Sequence, residues 1–521
     1  MSNFPTSEKP PRDSEDSFLR TLISWPNVII VVILGVVAFV ALFYAEENWR
    51  GKRAWKQYRE SLEARGERVE LREFVPASVS SEENFADTPL IQSWFPRGGP
   101  LQTNEYEEAF KFIPAKGTNL HNGGRRYIDL VAWEMALKAV SSGENISPSQ
   151  KFQSDKQDFP SRSAAASAVL NALTNTQEDY DELREASRKP HARYPLNYDL
   201  EKPWGIFLPH LAEIKTICQR LELKACAELA VGRGEMALAD VQLILRLADS
   251  LKDEPFLICY LVRIACVRLA IQPVWEGLAE RQWGDGQLQE LQKSLGRFDL
   301  VTDAKWPLRA ERACSILTID SVAENPQLLC DVLGVGNGSL ESQVMESVVR
   351  SVPRGWFHHE QVSYCRLFDQ QFGQFLMETN KLIQPKHVKA GSAKIEKHMD
   401  GENLFPSRGT LARLLLPGLG KTAFACARAQ TALNQATVAC ALERYHIAKG
   451  DFPEKLEMLV PQFANQLPGD VLTGDPYKYQ RTGENFILYS PGWNETDEGG
   501  VSGKDLYDDK EGDWVWRYNE R

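Results

Sequence analysis

Acidic side chains are concentrated near the carboxyl end of the chain, in a stretch that is rich in glycine. From Glu495 to Asp513 this stretch holds eight carboxylates and two lysines. Carboxylate and carbonyl oxygens on flexible backbone suit Ca²⁺, which accepts six to eight oxygen ligands in loose geometry. The ligand spacing of an EF-hand loop is missing. The stretch therefore predicts either a calcium site or an acidic loop exposed to solvent.

Two other clusters match catalytic or cofactor-binding motifs only in part. Residues 418–422 have the sequence GLGKT, but a phosphate-binding loop needs a glycine where this chain has Leu415, and a β-strand before it. His358 and His359 are adjacent, so a helix would direct them about 100° apart, which suits a single metal poorly. The chain contains no GxSxG and no HExxH sequence. We expect no nucleotide site here, and an enzyme with scattered catalytic acids stays open.

A long helix must position the acidic stretch. Apolar side chains recur at helical spacing from about Ala425, and Gly450 followed by Pro453 ends the helix. Residues 477–480 and 485–489 have the composition of strands, and the Arg-Thr-Gly sequence between them indicates a hairpin. The carboxyl end is therefore predicted to be a long helix followed by a small head of strands and loops.

The middle of the chain is predicted to be helical. Helices are expected at about 209–231, 235–251 and 256–278, and another begins near Gln287. The first two helices, with small residues on both sides of the turn between them, have the pattern of a tetratricopeptide-type hairpin. A generic antiparallel helical hairpin has the same pattern. The basic, polar residues 386–397 are expected to form a loop.

Composition restricts the class of protein. The formal net charge of −11 disfavours general binding to nucleic acid, because phosphate neutralisation needs a basic surface. The nine cysteines lie mostly in apolar helical contexts without a CxxC pair, which predicts buried thiols. A chain of 521 residues with 10% aromatic side chains is long and apolar enough to form two or three ordered domains.

One segment near the amino end is suited to a membrane. Val28–Tyr44 is apolar throughout, and no charged residue lies between Arg20 and Glu46. At about 1.5 Å per residue, the charge-free run crosses a hydrocarbon core of about 30 Å. It is longer than the core of a typical signal peptide and lacks an A-x-A cleavage site, so we expect a retained transmembrane anchor. The lysines and arginines that flank the segment favour a cytoplasmic location for the chain on its carboxyl side, although large domains translocate largely regardless of such charges.

Four sequences follow one another at the carboxyl end: ALERYHIAKGDFP, GDPYKY, FILYSPGWN and a final GDW. In this order they resemble the head of the major pseudopilin of type II secretion. That resemblance implies a Ca²⁺-binding loop, with Asn494 at the first aspartate position and Asp508 and Asp509 where the later acids fall. With Asp497 they form the predicted calcium ligands. The membrane segment lies far upstream without a GFTLxE sequence before it, which disfavours a filament subunit.

The whole chain also resembles a set of large membrane-anchored proteins from planctomycete- and verrucomicrobia-type bacteria. The resemblance rests on NWRGKRAWKQYRESLEARGE, ENFADTPL, YPLNYDLEKPWGIFLPHL, DEPFLICYLVRIA and PRGWF, besides the ALERYHIAKGDFP sequence. It implies no activity. Together with the pseudopilin likeness it implies a body outside the cytoplasm, which outweighs the flanking charges. We therefore expect a bacterial inner-membrane protein with a periplasmic carboxyl-terminal body.

The predicted fold is mainly α, with a transmembrane helix, a helical-hairpin body and a small α+β pseudopilin-like head. The predicted function is binding or scaffolding of protein partners by a membrane-anchored envelope protein, without catalysis. The alternatives are a membrane-tethered hydrolase with an unrecognised acidic site and an accessory of a secretion or pilus-like assembly. The predicted domains are a disordered tail (1–22), the transmembrane helix (23–45), a stalk helix with an extended linker (46–100), the helical body (101–407) and the long helix with its head (408–521).

Overall fold

The computed structural model describes residues 25–95, 125–143, 159–198, 205–333, 335–336, 338–377, 380–399, 409–416, 420–503 and 510–518. Most of these residues are helical, and three short strands lie near the carboxyl end, which confirms a mainly α chain. The helices are α1 (Trp25–Ala64), α2 (Pro89–Ser93), α3 (Leu130–Ser141), α4 (Phe159–Ala172), α5 (Gln177–Ala186), α6 (His210–Ala230), α7 (Gly234–Asp249), α8 (Leu257–Ala279), α9 (Asp285–Leu295), α10 (Leu300–Asp303), α11 (Lys305–Glu324), α12 (Gln327–Leu333), α13 (Leu340–Ser351), α14 (Arg354–Met377), α15 (Pro385–Met399), α16 (Thr410–Leu415) and α17 (Gly420–Lys449). The strands are β1 (Lys478–Thr482), β2 (Asn485–Ser490) and β3 (Trp514–Arg517).

The described residues form two compact units. The smaller unit takes the described residues of Met1–Arg65, Ile319–Ser363 and Asn403–Thr410. The larger unit takes those of Gly66–Thr318, Tyr364–Glu402 and Leu411–Arg521. Each unit is therefore assembled from segments that are far apart in sequence.

Helix α1 belongs to the smaller unit and runs for 40 residues. Its large apolar side chains from Val28 to Phe43 are each 41–71% exposed. A helix that is apolar on every side is stable in lipid or in a protein core, and no protein covers this one. It is long and apolar enough to span a membrane. It then continues to Ala64, as the predicted stalk helix does. Helix α8 passes the same test of length and composition but is mostly buried as a core helix.

Past its apolar run, α1 contacts the start of α14 within the smaller unit. The Gly355 N–H donates to Asn48 Oδ1 (2.8 Å), and Trp356 Nε1 donates to Glu47 Oε2 (2.9 Å). A Cβ atom added to Gly51 would overlap the carbonyl oxygen of Gly355, and one added to Gly355 would overlap that of Glu47. The two backbones therefore touch because neither glycine carries a side chain.

The larger unit is built around α6, α7 and α8, which pack on one another, while α17 packs on α8 and α9. The bounds that the sequence predicts for α6, α7 and α8 are confirmed to within about two residues. All nine cysteines are free thiols, eight of them buried and Cys314 half-buried. The sequence prediction of buried thiols in apolar helical contexts is therefore confirmed.

The carboxyl end follows the predicted order of a long helix and a hairpin. Helix α17 ends at Lys449, and Gly450 follows with a φ of 82°, where a glycine carries no steric penalty. Strands β1 and β2 pair antiparallel with Tyr479 opposite Leu488, and β3 pairs antiparallel with the other edge of β2. The sheet order is β1-β2-β3, and α17 contacts both β2 and β3.

The predicted loop at residues 386–397 is wrong, because these residues belong to α15. Val388 and Ile395 are buried. They are seven residues apart, so they lie on the same face of α15. Gly391 lies between them, and a Cβ added there would stand 2.9 Å from the Cα of Gln371. Packing on α14 through this small residue stabilises a helix that its polar sequence does not indicate.

A buried histidine gives the larger unit a specific sensitivity to acid. His210 is fully buried, stacks on Tyr194 at 4.3 Å between ring centroids, and neither ring nitrogen has a hydrogen-bond partner. Burial lowers the pKa of His210 from 6.5 to about 3. The folded chain therefore keeps the ring neutral between these values while the unfolded chain takes up a proton, so stability falls as pH falls below 6.5.

Replacing His210 by phenylalanine should reduce this sensitivity while keeping the ring stack. At about pH 5.5 the wild type should lose about 1.4 kcal/mol that the His210→Phe variant does not lose. Urea unfolding of both proteins at about pH 7.5 and 5.5 measures the difference. Equal acid sensitivity of the two proteins would show that His210 is protonated, or exposed, in the folded chain.

Candidate functional site

The acidic loop after β2 is closed by a buried aspartate. Asp513, just before β3, is 2% exposed, and its carboxylate accepts hydrogen bonds from the Glu498 N–H (3.2 Å) and the Gly500 N–H (2.6 Å). Gly500 has a φ of 84°, and Glu495 has a φ of 60°. This backbone turns sharply enough to bring Glu498 back to the base of β3. The Asp513 carboxylate therefore ties residues 498–500 of the loop to the start of β3.

Of the four predicted calcium ligands, the structure describes Asn494 and Asp497, and these two have different hydrogen-bond partners. Asn494 Nδ2 donates to Glu498 Oε1 at 2.6 Å. Asp497 instead accepts a hydrogen bond from the Gly499 N–H (3.0 Å) and lies 3.9 Å from the ammonium of Lys478. Asp508 and Asp509 lie outside the described residues. The structure thus groups Asn494 with Glu498 and Asp513, a pair of acids that the sequence prediction did not single out.

Glu498 and Asp513 place two carboxyl groups beside each other. Burial and the neighbouring Glu498 carboxyl together raise the pKa of Asp513 to about 6, against the lowering effect of the hydrogen bonds from the Gly500 and Glu498 N–H groups. One carboxylate oxygen of Glu498 is buried without a hydrogen-bond partner. A proton or a cation relieves such a pair. Among the described residues, however, no three His, Cys, Asp or Glu side chains are grouped so that they could hold a metal.

Calcium binding by this loop therefore stays a prediction with a direct test. If the loop binds Ca²⁺ in the folded state, calcium at ten times its Kd should stabilise the chain by about 1.4 kcal/mol and raise Tm. Extracellular calcium sites have Kd values of about 0.1–1 mM, so millimolar calcium suffices for the measurement. The Glu498→Gln variant keeps the hydrogen-bonding shape but removes one charge, and it should lose the shift. An unchanged wild-type Tm, or an equal shift with Mg²⁺, would contradict the prediction.

A second candidate site is an open cleft in the larger unit, with a volume of about 730 Å³. Residues 75–80 form one wall and the 191–193 strip forms another. The rest of the lining includes Lys252, Asp303 and Trp306. These segments are far apart in sequence and show no shared motif. Sequence reasoning therefore missed the cleft entirely.

The walls of the cleft are fixed by aromatic packing and by one amide. Phe74, at the end of a short 3₁₀ turn (Leu71–Phe74), is buried and lies 4.8 Å from Trp306 between ring centroids. The Asn84 side chain accepts from the Arg193 N–H (2.8 Å) and donates to the Arg193 carbonyl (2.9 Å). These contacts hold the 75–80 wall to α11 and the 191–193 strip to the ENFADTPL stretch.

Two of the charged groups in the cleft, Asp303 and Arg193, are held by other parts of the protein. Asp303 lies 2.8 Å from Arg263 and 3.3 Å from Lys252. Arg193 donates to the Pro76 carbonyl (3.1 Å) and to the hydroxyl of Tyr198 (3.0 Å). The lining therefore presents both signs of charge beside an aromatic ring, without a strong field of one sign. Such a surface suits a neutral or mixed-charge ligand better than a polyanion.

One acid next to the cleft has a strongly shifted pKa. Glu254 is 2% exposed and accepts a hydrogen bond from the hydroxyl of Tyr198 at 2.9 Å. Burial raises the pKa of Glu254 to about 7, against the lowering effects of Tyr198 and Arg193. A carboxyl group that titrates near neutrality has the property that a general acid or base requires. Its neighbour Asp253 lines the cleft, while Glu254 itself lies behind the lining.

The core of the larger unit contains further buried charges. Glu276 forms an ion pair with Arg162, and its other oxygen accepts from the Ile128 N–H at 2.7 Å. Glu222 is 1% exposed, and neither of its carboxyl oxygens accepts a hydrogen bond. Burial and the nearby Glu276 carboxylate raise the pKa of Glu222 well above the usual range. These groups join α4 and the start of α3 to α8. We interpret them as structural, since they lie within packed helices.

The histidine cluster also has local contacts. His358 Nδ1 lies 3.1 Å from Gln361 Oε1. Glu360 accepts hydrogen bonds from the backbone N–H groups of Gly409 and Thr410 and so caps the first turn of α16. The cluster is thus part of the packing of the smaller unit.

Comparison with known proteins gives no assignment for either site. No protein-family model, no curated protein and no solved structure matches this chain.

Proposed function

We propose that the protein is anchored in a bacterial membrane by α1 and that its helical units bind or scaffold a partner. One observation supports the anchor above all. The apolar side chains from Val28 to Phe43 are exposed all around the helix, which in water would carry a large hydrophobic cost. Lipid removes that cost, and the stretch is long enough to cross a bilayer.

The cleft of the larger unit supports binding in preference to catalysis. Asp303 and Arg193 of its lining are held by contacts within the protein, so these two charged groups stabilise its walls. Trp306 and the 75–80 wall offer apolar contact, while Lys252 and Asp253 offer polar contact. A mixed lining of this kind orients a ligand by a few polar contacts on an apolar floor.

One observation favours the alternative of a membrane-tethered hydrolase. Glu254 is the acid whose pKa lies near neutrality beside the cleft, and Tyr198 orients its carboxyl group. Hydrolysis by the purified chain, lost in the Glu254→Gln variant without loss of Tm, would establish the enzyme. A chain inactive toward ester, peptide and glycoside substrates leaves the binding function.

We further propose that the anchor lies in the bacterial inner membrane with the carboxyl-terminal body in the periplasm, on the likeness of the end of the chain to a pseudopilin head. Alkaline phosphatase fused after Arg521 should then be active, and the same reporter fused before Met1 should be inactive. The opposite pattern would place the body in the cytoplasm.

The anchor itself has a separate test. Two arginines in the centre of the span, Val36→Arg with Phe39→Arg, should each cost about 3 kcal/mol of insertion free energy. The variant should move from the membrane pellet to the soluble fraction after carbonate extraction. Wild-type protein that is extracted by carbonate would refute a membrane-spanning α1.

A further inference from the structure

Helices α12 and α13 of the smaller unit expose an apolar face. Leu340 is 78% exposed and Val344 55% exposed, four residues apart on α13, and Leu333 at the end of α12 is 38% exposed. No other large apolar side chain of the described residues is as exposed as Leu340, including those of the span. A monomer in water rarely leaves such side chains together on one surface.

The opposite face of α13 packs against α12. Ser342 and Val349 are buried, and Cys330 Sγ of α12 lies 3.9 Å from the Ser342 carbonyl oxygen and 4.0 Å from Met345 Sδ. Leu340 and Val344 lie about 160° around the helix from this buried face, because each residue advances by about 100°. The exposed face is therefore a separate surface of a folded helix pair, and not the result of a loose helix.

Contacts with α1 place this helix pair beside the end of the span. Ser351, the last residue of α13, accepts a hydrogen bond through its carbonyl from the hydroxyl of Tyr44. Tyr44 is the last residue of the apolar run, where a tyrosine sits at the boundary between hydrocarbon and headgroups. The next turns of α1 contact Gly355 and Trp356, immediately after α13. The carboxyl end of α13 thus lies at the level of the headgroups.

The length and charge of α13 fit this position. Its 12 residues extend about 18 Å, so Leu340, the first residue of α13, lies within about 18 Å of Ser351. Its side chains include Glu341 and Arg350, both exposed, and no lysine or arginine cluster. Attraction by anionic lipid is therefore not needed, and apolar contact is the interaction that the surface offers.

We propose that α12 and α13 rest on the membrane surface, with Leu333, Leu340 and Val344 inserted into the lipid interface. The inference depends on α1 being the membrane anchor, as proposed above. The smaller unit is then fixed to the bilayer at two places, by the span and by this helix pair, so it cannot tilt freely about the end of the span.

Fluorescence quenching in vesicles tests the proposal. The full chain is reconstituted in phosphatidylcholine vesicles with an environment-sensitive label on Val344→Cys, in a Cys314→Ala background because the other eight cysteines are buried. A label on Gln343→Cys, about 100° around the same helix, is the matched control. A lipid nitroxide near the headgroup should quench the Val344 label about twofold or more relative to the Gln343 label. Aqueous iodide should show the reverse order.

A third label, on Leu42→Cys, separates the two proposals. Quenching of Leu42 by the lipid nitroxide without quenching of Val344 would overturn the interfacial helix pair and leave the anchor standing. No quenching at Leu42 would overturn the anchor and, with it, this inference. Replacing part of the phosphatidylcholine by phosphatidylglycerol should leave the Val344 signal unchanged, and a strong dependence on the anionic lipid would contradict apolar insertion.

Discussion

Alanine at Gly51 is expected to separate α1 from α14 in the smaller unit. The added Cβ would overlap the carbonyl oxygen of Gly355, and backbone on both sides leaves no flexible side chain to move aside. The hydrogen bonds from Gly355 to Asn48 and from Trp356 to Glu47 would be lost with the contact. Overpacking together with two lost hydrogen bonds should cost about 3 kcal/mol. The loss of this contact should appear as faster amide hydrogen exchange in residues 44–58 and 351–358 of the Gly51→Ala variant than in the wild type.

Glycine-to-alanine replacement within the same helix supplies the control. A Cβ at Gly35, in the exposed apolar run, would have no other atom within 4 Å. Alanine favours helix over glycine by about 1 kcal/mol, so Gly35→Ala should leave exchange unchanged or slower. Equal exchange in the Gly51→Ala and Gly35→Ala proteins would mean that the two backbones do not touch.

Glutamine at Glu276 is expected to destabilise the larger unit by about 3–5 kcal/mol, because it leaves the buried Arg162 guanidinium without a countercharge. Arg162 is 7% exposed and Glu276 is 2% exposed, so water cannot compensate either charge. The lost carboxylate also weakens the hydrogen bond that fixes the Ile128 N–H before α3. Urea unfolding should show a lower midpoint with an unchanged m-value.

An exposed ion pair on α3 is the matched comparison. Glu134 and Lys138 lie 2.7 Å apart, and the lysine is 71% exposed. Glu134→Gln should change the free energy of unfolding by less than about 0.5 kcal/mol, since such pairs on a helix surface contribute little. A Glu276→Gln effect as small as this would show that Arg162 finds water or another acid when Glu276 is neutral.

Features with local causes could be predicted from the sequence. The helices α6, α7 and α8 follow from apolar spacing, and the end of α17 follows from Gly450, whose φ of 82° only glycine adopts freely. The hairpin of β1 and β2 likewise follows from strand composition around one glycine turn. These features depend on residues within a few positions of each other.

Features made by distant segments could not be predicted. Gly355 lies in the first turn of α14 and provides a close helix contact to Gly51, more than 300 residues away in sequence. The pairing of Glu498 with Asp513 depends on backbone turns that are set by β3. The acidic loop was predicted as a stretch, but the burial of Asp513 within it was not, because that burial results from tertiary packing.

The unbroken course of α1 has a mechanical consequence. A helix without a hinge keeps one rotational phase along its length, and Tyr44, Glu47 and Gly51 share the face of α1 that contacts the rest of the smaller unit. At the same angle of about 100° per residue, Gly35 and Leu42 of the apolar run lie on the side of α1 opposite to this face. If α1 spans a membrane, as we propose, any rotation of the rest of the smaller unit about the membrane normal turns the apolar run through the same angle. That rotation then decides which side of the run a neighbouring helix in the bilayer would meet.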